Sequence, residues 1–242
     1  MNLIIDIGNT KVKAAVFELD TLKESISFEE NNMESYIDKF LSTYKINASI
    51  VSSVKEDTHK HVDLFKRIPS LIILDHQTDV PFINLYKTPE TLGIDRISLV
   101  SGAVSQYPNK NVLVIDAGTC ITYDFVTGSK KYLGGAISPG IDIRYRSLNA
   151  YTSKLPRLSL TDEFEVIGKT TSEAIHSGVI NGVITEIDGV INQYKQEYLD
   201  LTVILTGGDT KFLFKQLKNS IFAHQNFLLY GLNTILTYNN KV

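Results

Sequence analysis

The chain has 242 residues, of which 43% are hydrophobic and 21% charged, with a formal net charge of −3. That balance excludes disordered and fibrous classes, gives nucleic acid no basic surface, and leaves enough chain to bury one large core or two modest ones. The single cysteine, Cys120, excludes a disulfide framework and a cysteine-rich zinc site. No apolar run reaches the roughly 18 residues of a membrane span, and Asp6 interrupts the N-terminal apolar run before it resembles a secretion signal. The expectation is a cytoplasmic protein with no membrane or nucleic-acid partner.

In chain order, residues 3–6 and 12–18 read as a hairpin rich in β-branched residues, and residues 32–44 as a helix, with Met33, Tyr36, Ile37, Phe40 and Leu41 at helical spacing. Residues 48–54 and 70–74 read as short strands, with a helix at 57–67 between them that ends before Pro69. Residues 81–89 are irregular and bracketed by prolines. A helix is predicted over 95–107, stopping before Pro108. The polar break Asn109-Lys110-Asn111 divides the chain into expected domains 1–109 and 110–242. The second half repeats the order. Strands are expected at 112–115, 121–126 and 131–137, helices at 141–151 and 171–194, a strand at 201–205 and a last helix at 227–238. Meander, helices and strand in both halves predict a duplicated α/β fold.

The repeat also carries chemistry. Leu3-Ile4-Ile5-Asp6-Ile7-Gly8-Asn9-Thr10 returns as Val112-Leu113-Val114-Ile115-Asp116-Ala117-Gly118-Thr119. Each copy reads as a strand, a tight polar turn and a second strand. Glycine lets backbone N–H groups approach a phosphate, and Thr10 and Thr119 add hydroxyl donors. Asp6 and Asp116 repel phosphate unless a cation lies between, and hard cations take carboxylate and phosphate oxygens together. Lys11 and Lys13 flank the first turn and offset phosphate charge. Gly-Asn is also ordinary hairpin chemistry, so one copy says little; two in the same context point to a nucleotide held between facing loops. Thr206-Gly207-Gly208-Asp209 ends a strand, where glycines let a flat ring lie against the backbone, or simply form a strand-to-helix turn. The segment from Gly134 to Gly140 is either a rigid turn or a wall of the same site. The five histidines show no metal spacing, and Cys120 reads as a small core residue.

Asp-x-Gly-x-Thr, Asp-x-Gly-Thr and a strand ending in Gly-Gly, in that order, resemble the acetate and sugar kinase, Hsp70 and actin superfamily. Tyr86-Lys87-Thr88-Pro89-Glu90-Thr91-Leu92-Gly93-Ile94-Asp95-Arg96 narrows the match, as does Gly168-Lys169-Thr170-Thr171 with Gly178 and Gly182 downstream. With Gly134 to Gly140 and Leu155-Pro156, they look like type III pantothenate kinase, over nearly the whole chain.

The resemblance implies duplicated ribonuclease H-like (actin-like ATPase) domains, each a mixed sheet flanked by helices, around a central cleft. It implies transfer of phosphate from ATP to pantothenate, giving 4′-phosphopantothenate, the entry step of coenzyme A synthesis. Residue by residue, it places ATP phosphates on Asp6, Ile7, Gly8, Asn9, Thr10, Lys11, Val12 and Lys13, with a further ATP contact at Thr119. Asp116 would hold a monovalent cation, potassium or ammonium, and a divalent ion (Mg2+) would accompany ATP. Tyr86, Gly93, Ile94, Asp95, Arg96 and Thr171 would contact pantothenate, and Asp95 would accept the proton of its primary hydroxyl. The family is dimeric, with the pantothenate pocket against the partner subunit.

The residues alone leave blander roles open: Asp95 and Thr171 as helix N-caps, Arg96 in a surface ion pair, Tyr86 packed on the core. Two positions depart from the family pattern. Thr170 stands where asparagine is usual, and Lys55-Glu56 follow Ser52-Ser53-Val54 where a proline is often found. A kinase for another hydroxyl substrate, or a non-catalytic regulatory protein on the same scaffold, are the alternatives. Asp6, Asp95 and Asp116 together argue against lost catalysis.

Overall fold

A computed structural model describes residues 1–54 and 61–240. Contacts group the chain into two compact units. One is residues 1–108 with 130–132 and 227–242; the other is 109–129 with 133–226.

The first unit is built on β1 (Asn2–Ile7), β2 (Val12–Glu18) and β3 (Thr21–Phe28), an antiparallel meander, extended by β4 (Ala48–Ser53) and β5 (Leu71–Ile73) in parallel on the other side of β1, in the order β3-β2-β1-β4-β5. β1 reads as a continuous apolar run because both its faces are covered. Leu3, Ile5 and Ile7 join Val12, Ala14 and Val16 against Met33, Ile37 and Phe40 of α1 (Met33–Thr43). The opposite face carries Ile4, Ala15, Phe17 and Ile50, all fully buried. Two helices pack on this side, α3 (Ile94–Gln106) and α7 (Phe227–Asn239). They cross closely. A Cβ on Gly231 would stand 1.8 Å from the Ser98 carbonyl oxygen, and Gly102 meets the Gly231 backbone. Phe17 meets Tyr230 edge-on at 5.0 Å between ring centroids. The short α2 (Val62–Lys66) buries Leu64 and Phe65; the part of its expected range at 57–60, and Lys55-Glu56, lie outside the described residues. Between the prolines lies a two-residue strand, β6 (Ile83–Asn84), followed by a 3-10 turn at Pro89–Thr91.

The second unit repeats this topology. β7 (Asn111–Ala117), β8 (Cys120–Val126) and β9 (Lys131–Pro139) form the meander, and β10 (Leu201–Thr206) and β11 (Phe222–Ala223) add in parallel beside β7. The order β9-β8-β7-β10-β11 is the first sheet's order with each strand replaced by its counterpart. Lys131 and Tyr132, which group with the first unit, pair in parallel with β6. α4 (Ile141–Ala150) and α5 (Thr171–Glu197) cover one face. Ile175, Val179, Ile180, Val183, Ile187 and Ile191 of α5 pack on Leu113, Ile115, Tyr123, Phe125, Val203 and Leu205. The four-residue α6 (Thr210–Leu213) follows β10. Two mixed sheets flanked by helices are the duplicated actin-like α/β fold.

The short β6, α6 and β11 were not expected from the sequence, and two larger features differ as well. β3 was not expected: its residues alternate between exposed and half-buried, as on an outer strand, with little apolar weight. α7 lies in the first unit's packing, although it follows the second unit in the chain.

Candidate functional site

In the first unit the β1–β2 turn closes with the Gly8 N–H donating to the Lys11 carbonyl at 3.1 Å, leaving Asn9, Thr10 and Lys11 exposed. Val12 is buried with Ile7 beneath the turn. Asp6 sits just before it, only 8% exposed. Its cross-strand partners are Lys13 on β2 and Ser52 on β4, so all three side chains share one face. The Ser52 hydroxyl donates to Asp6 Oδ1 at 2.8 Å. Burial pushes the Asp6 carboxyl up to about 6; Ser52 and Lys13 oppose the shift, and the charge of Asp95 adds to it. The structure thus brings Asp6, Lys13 and Asp95 into one electrostatic group. Ser52 was missed as a member of it, because only the β1–β4 register reveals it.

Asp95 is in the first turn of α3, half-buried. The cap position is Gly93, so the N-cap role considered for Asp95 does not hold. Asp95 Oδ1 accepts from the Arg96 backbone N–H at 2.8 Å. A Cβ on Gly93 would stand 2.4 Å from that same Oδ1, so glycine is what lets the carboxylate lie back over the helix start, where the dipole favours negative charge. Ile94 opens the helix. Arg96 is 4% exposed, not a surface ion-pair residue. Its guanidinium carbon lies 5.6 Å from the centroid of the Tyr86 ring, within cation–π range. Tyr86 stacks on buried Tyr132 at 6.1 Å, and its backbone N–H donates to Asn84 Oδ1 at 3.0 Å. Tyr86, Gly93, Asp95 and Arg96 therefore form one continuous group.

The second unit holds the other expected residues. Asp116 occupies the position in β7 that Asp6 occupies in β1. Its cross-strand partners are Thr122 and Thr206. The β7–β8 turn closes with Gly118 N–H donating to Cys120 O at 2.9 Å, and Thr119 is exposed. Cys120 is exposed too, contrary to the core role expected, because it begins β8 beside the turn. Gly207, at φ +97°, presses against Asp116 and Ala117. A Cβ there would stand 2.3 Å from both Asp116 Oδ1 and the Ala117 carbonyl oxygen. The Asp209 N–H donates to Ala117 O at 2.9 Å. Burial raises the Asp209 carboxyl, and Asp142 adds to the shift; Asp142 was not singled out from the sequence. Thr171 opens α5 but is not its cap. Thr170 takes that role, its hydroxyl accepting from Glu173 N–H at 3.2 Å while Glu173 accepts from Lys169 N–H at 2.7 Å. That leaves the exposed Thr171 hydroxyl outside the capping arrangement.

Among the described residues no group of three or more His, Cys, Asp or Glu side chains is arranged to hold a metal ion. Thr122 Oγ1, however, is buried and without a hydrogen-bond partner. It shares a face with Asp116. One carboxylate with neutral hydroxyl oxygens is a donor set of low charge, suited to a monovalent ion rather than to a stripped divalent one.

A family model described as type III pantothenate kinase matches residues 2–193. The chain belongs to the type III pantothenate kinase family. It is 47% identical over 243 residues to the type III pantothenate kinase of Flavobacterium johnsoniae, covering 100% of this chain and 99% of that one. Among solved structures, a Campylobacter jejuni protein named as a Baf family transcriptional activator superposes with a TM-score of 0.65 at 24% identity, covering 99% of this chain and 100% of that one. A ROK family protein from Streptococcus pneumoniae superposes at 0.55 with 13% identity over 99% of each chain. At those identities the two structures speak for the fold alone. Membership of the type III pantothenate kinase family makes the chain an ATP-using kinase, an enzyme class that takes its nucleotide with a divalent cation. No helix among the described residues is long and apolar enough to cross a membrane.

Proposed function

We propose that the protein transfers the terminal phosphoryl group of ATP to the primary hydroxyl of pantothenate, releasing 4′-phosphopantothenate and ADP. The observation that carries this reading is the pairing, in one unit, of the turn after Asp6 with the Asp95–Arg96–Tyr86 group. Phosphoryl transfer asks a protein mainly for positioning and charge stabilisation, with one residue orienting the nucleophile. Asp95 takes that role. With Oδ1 engaged by the Arg96 N–H, Oδ2 remains to accept the proton of the attacking hydroxyl. Arg96 supplies the positive charge that the carboxylate of pantothenate requires, and Tyr86, Gly93 and Ile94 shape the same pocket.

Residues 6–13 cradle the phosphates of ATP through the backbone N–H groups of the turn, with the Thr10 hydroxyl as a further donor and Lys11 and Lys13 opposing their charge. Asp6, whose carboxylate burial disfavours, would face the magnesium ion that accompanies ATP, and that ion would supply positive charge against the phosphates. Thr119 makes the second nucleotide contact. Asp116, with the Thr122 hydroxyl, would hold potassium or ammonium, which would supply there the kind of positive charge that Lys13 supplies beside Asp6. The protein acts as a homodimer in the cytoplasm. Exposed Tyr151, Val166 and Ile167 support self-association, as do Gly178, Gly182 and Gly189 of α5, at which an added Cβ would meet nothing within 4 Å.

An assay of ADP release tests the proposal. Release should require pantothenate and rise on adding potassium or ammonium. No pantothenate-dependent release with either ion would reject it.

A further inference from the structure

The second phosphate loop is held from behind. Gly140, the cap of α4, donates its N–H to the Thr119 carbonyl at 3.1 Å. A Cβ at residue 140 would stand 2.1 Å from Gly118 O and 2.4 Å from Thr119 O. The two backbones are therefore in direct contact, and where residues 138–140 sit decides where Thr119 sits.

One side chain fixes those residues. Arg144 donates from Nε to the Pro139 carbonyl at 2.9 Å and from Nη2 to the Ser138 hydroxyl at 2.9 Å. The same Nη2 donates to Glu186 Oε2 on α5. The other oxygen of Glu186 accepts from the hydroxyl of Tyr123 at 3.0 Å, and Tyr123 is 1% exposed. Partial burial alone would raise the Glu186 carboxyl, but its bonds to Arg144, Ser138 and Tyr123 outweigh that and hold it below the ordinary range. The pair is thus ionised and reaches from β8 through α5 and α4 to the start of the loop contact. A half-buried ion pair is weak evidence for stability, since desolvation offsets most of its attraction. α5 is already anchored by six buried aliphatic side chains. What the pair adds is geometry: the planar fork of arginine reaches two points of the 138–140 segment at once, which a point charge cannot do.

We infer that Arg144, oriented by Glu186, is a positioning residue for the second phosphate loop, setting the pose of Thr119 toward ATP through Ser138, Pro139 and Gly140. This rests on the reading that Thr119 contacts nucleotide. A residue that only tied α4 to α5 would tolerate any cation facing Glu186; a residue that positions the loop would not.

The Arg144→Lys variant separates the two. It keeps a cation for Glu186 and loses the fork. The expected result is a melting temperature within about 2 °C of wild type. The KM for ATP should rise about fivefold or more while the KM for pantothenate stays within about twofold. Calorimetric ATP binding without pantothenate should weaken by a similar factor. Ser138→Ala, which removes one acceptor and disturbs the fold least, should move the KM for ATP in the same direction by about twofold. An unchanged KM for ATP in both variants overturns the inference, as does a parallel rise in the two KM values, or a wild-type protein that binds no ATP. A wild type that binds ATP but never phosphorylates pantothenate would defeat the kinase reading while the calorimetric comparison of Arg144 variants still decides this one.

Discussion

The two proposed phosphate loops occupy equivalent places in equivalent sheets, and they differ in what stands beside the acid. Asp6 lies between Lys13 and Ser52, whereas Asp116 lies between Thr122 and Thr206. The first loop carries its own cation on a neighbouring strand. The second has hydroxyls there, one of them buried and unpartnered. Duplication supplied the same backbone twice; divergence across the strands put a lysine beside one acid and only hydroxyls beside the other, the setting in which the proposed monovalent cation would sit.

The largest expected effect lies next to the first loop. Asp95→Asn should lower kcat by about 10²–10⁴-fold, with an unchanged circular dichroism spectrum, since Gly93 rather than Asp95 caps the helix. Near-normal turnover would remove Asp95 from the reaction.

Asp6→Asn should cut activity by about 10²-fold by weakening the hold on phosphate and its metal, and should also stabilise the nucleotide-free protein. The sign follows from the raised carboxyl, at about 6 in the folded chain against 3.8 for the free group. Between those values the folded state binds more protons than the unfolded one. Its contribution to stability is therefore full below the unfolded value and lost as pH rises through about 6. At pH 7.5 the wild type carries a buried charge that costs about 1–3 kcal/mol. The variant should melt higher than wild type there, with the gap narrowing as pH falls toward 5; a gap independent of pH would contradict the burial argument.

At the second loop the effects should be smaller and depend on the ion. Asp116→Asn should raise the potassium concentration for half-maximal activity about tenfold, leaving turnover at saturating potassium within a few-fold of wild type. Thr122→Val, which removes the unpartnered hydroxyl at nearly constant volume, should shift the same midpoint about twofold to threefold. If neither variant changes the potassium titration while Asp6→Asn does, the contrast between the loops is wrong.

Both loops were legible in the sequence because each joins an apolar, fully covered strand to a Gly-Thr turn, and a strand buried on both faces leaves a continuous run that period and composition reveal. The pairing of Asp6 with Ser52 was not legible. It depends on parallel register between strands some forty residues apart, which no local pattern encodes. β3 escaped notice because an outer strand mixes Thr, Lys, Glu and Ser with few apolar residues. Thr170 caps α5, with Glu173 three residues on completing the pattern, whereas the resemblance points to its neighbour Thr171. Tyr86 and Arg96 were found only through the resemblance, since a cation over an aromatic ring leaves no periodic trace.

The close crossing of Gly231 with Ser98 and Gly102 bears on how the chain comes off the ribosome. The face of the first sheet carrying Ile4, Ala15, Phe17 and Ile50 is covered in part by residues 227–239, which are synthesised after every strand of both sheets. Residues 109–226 have all their own strands and helices before then. Domains commonly mature in the order they are made; here the order should invert, with the later unit finished first and the earlier one waiting for its final helix. Limited proteolysis of chains ending at residue 226 should find residues 109–226 protected and residues 1–108 open to cleavage, and equal protection of both would show that the first unit closes without its last helix.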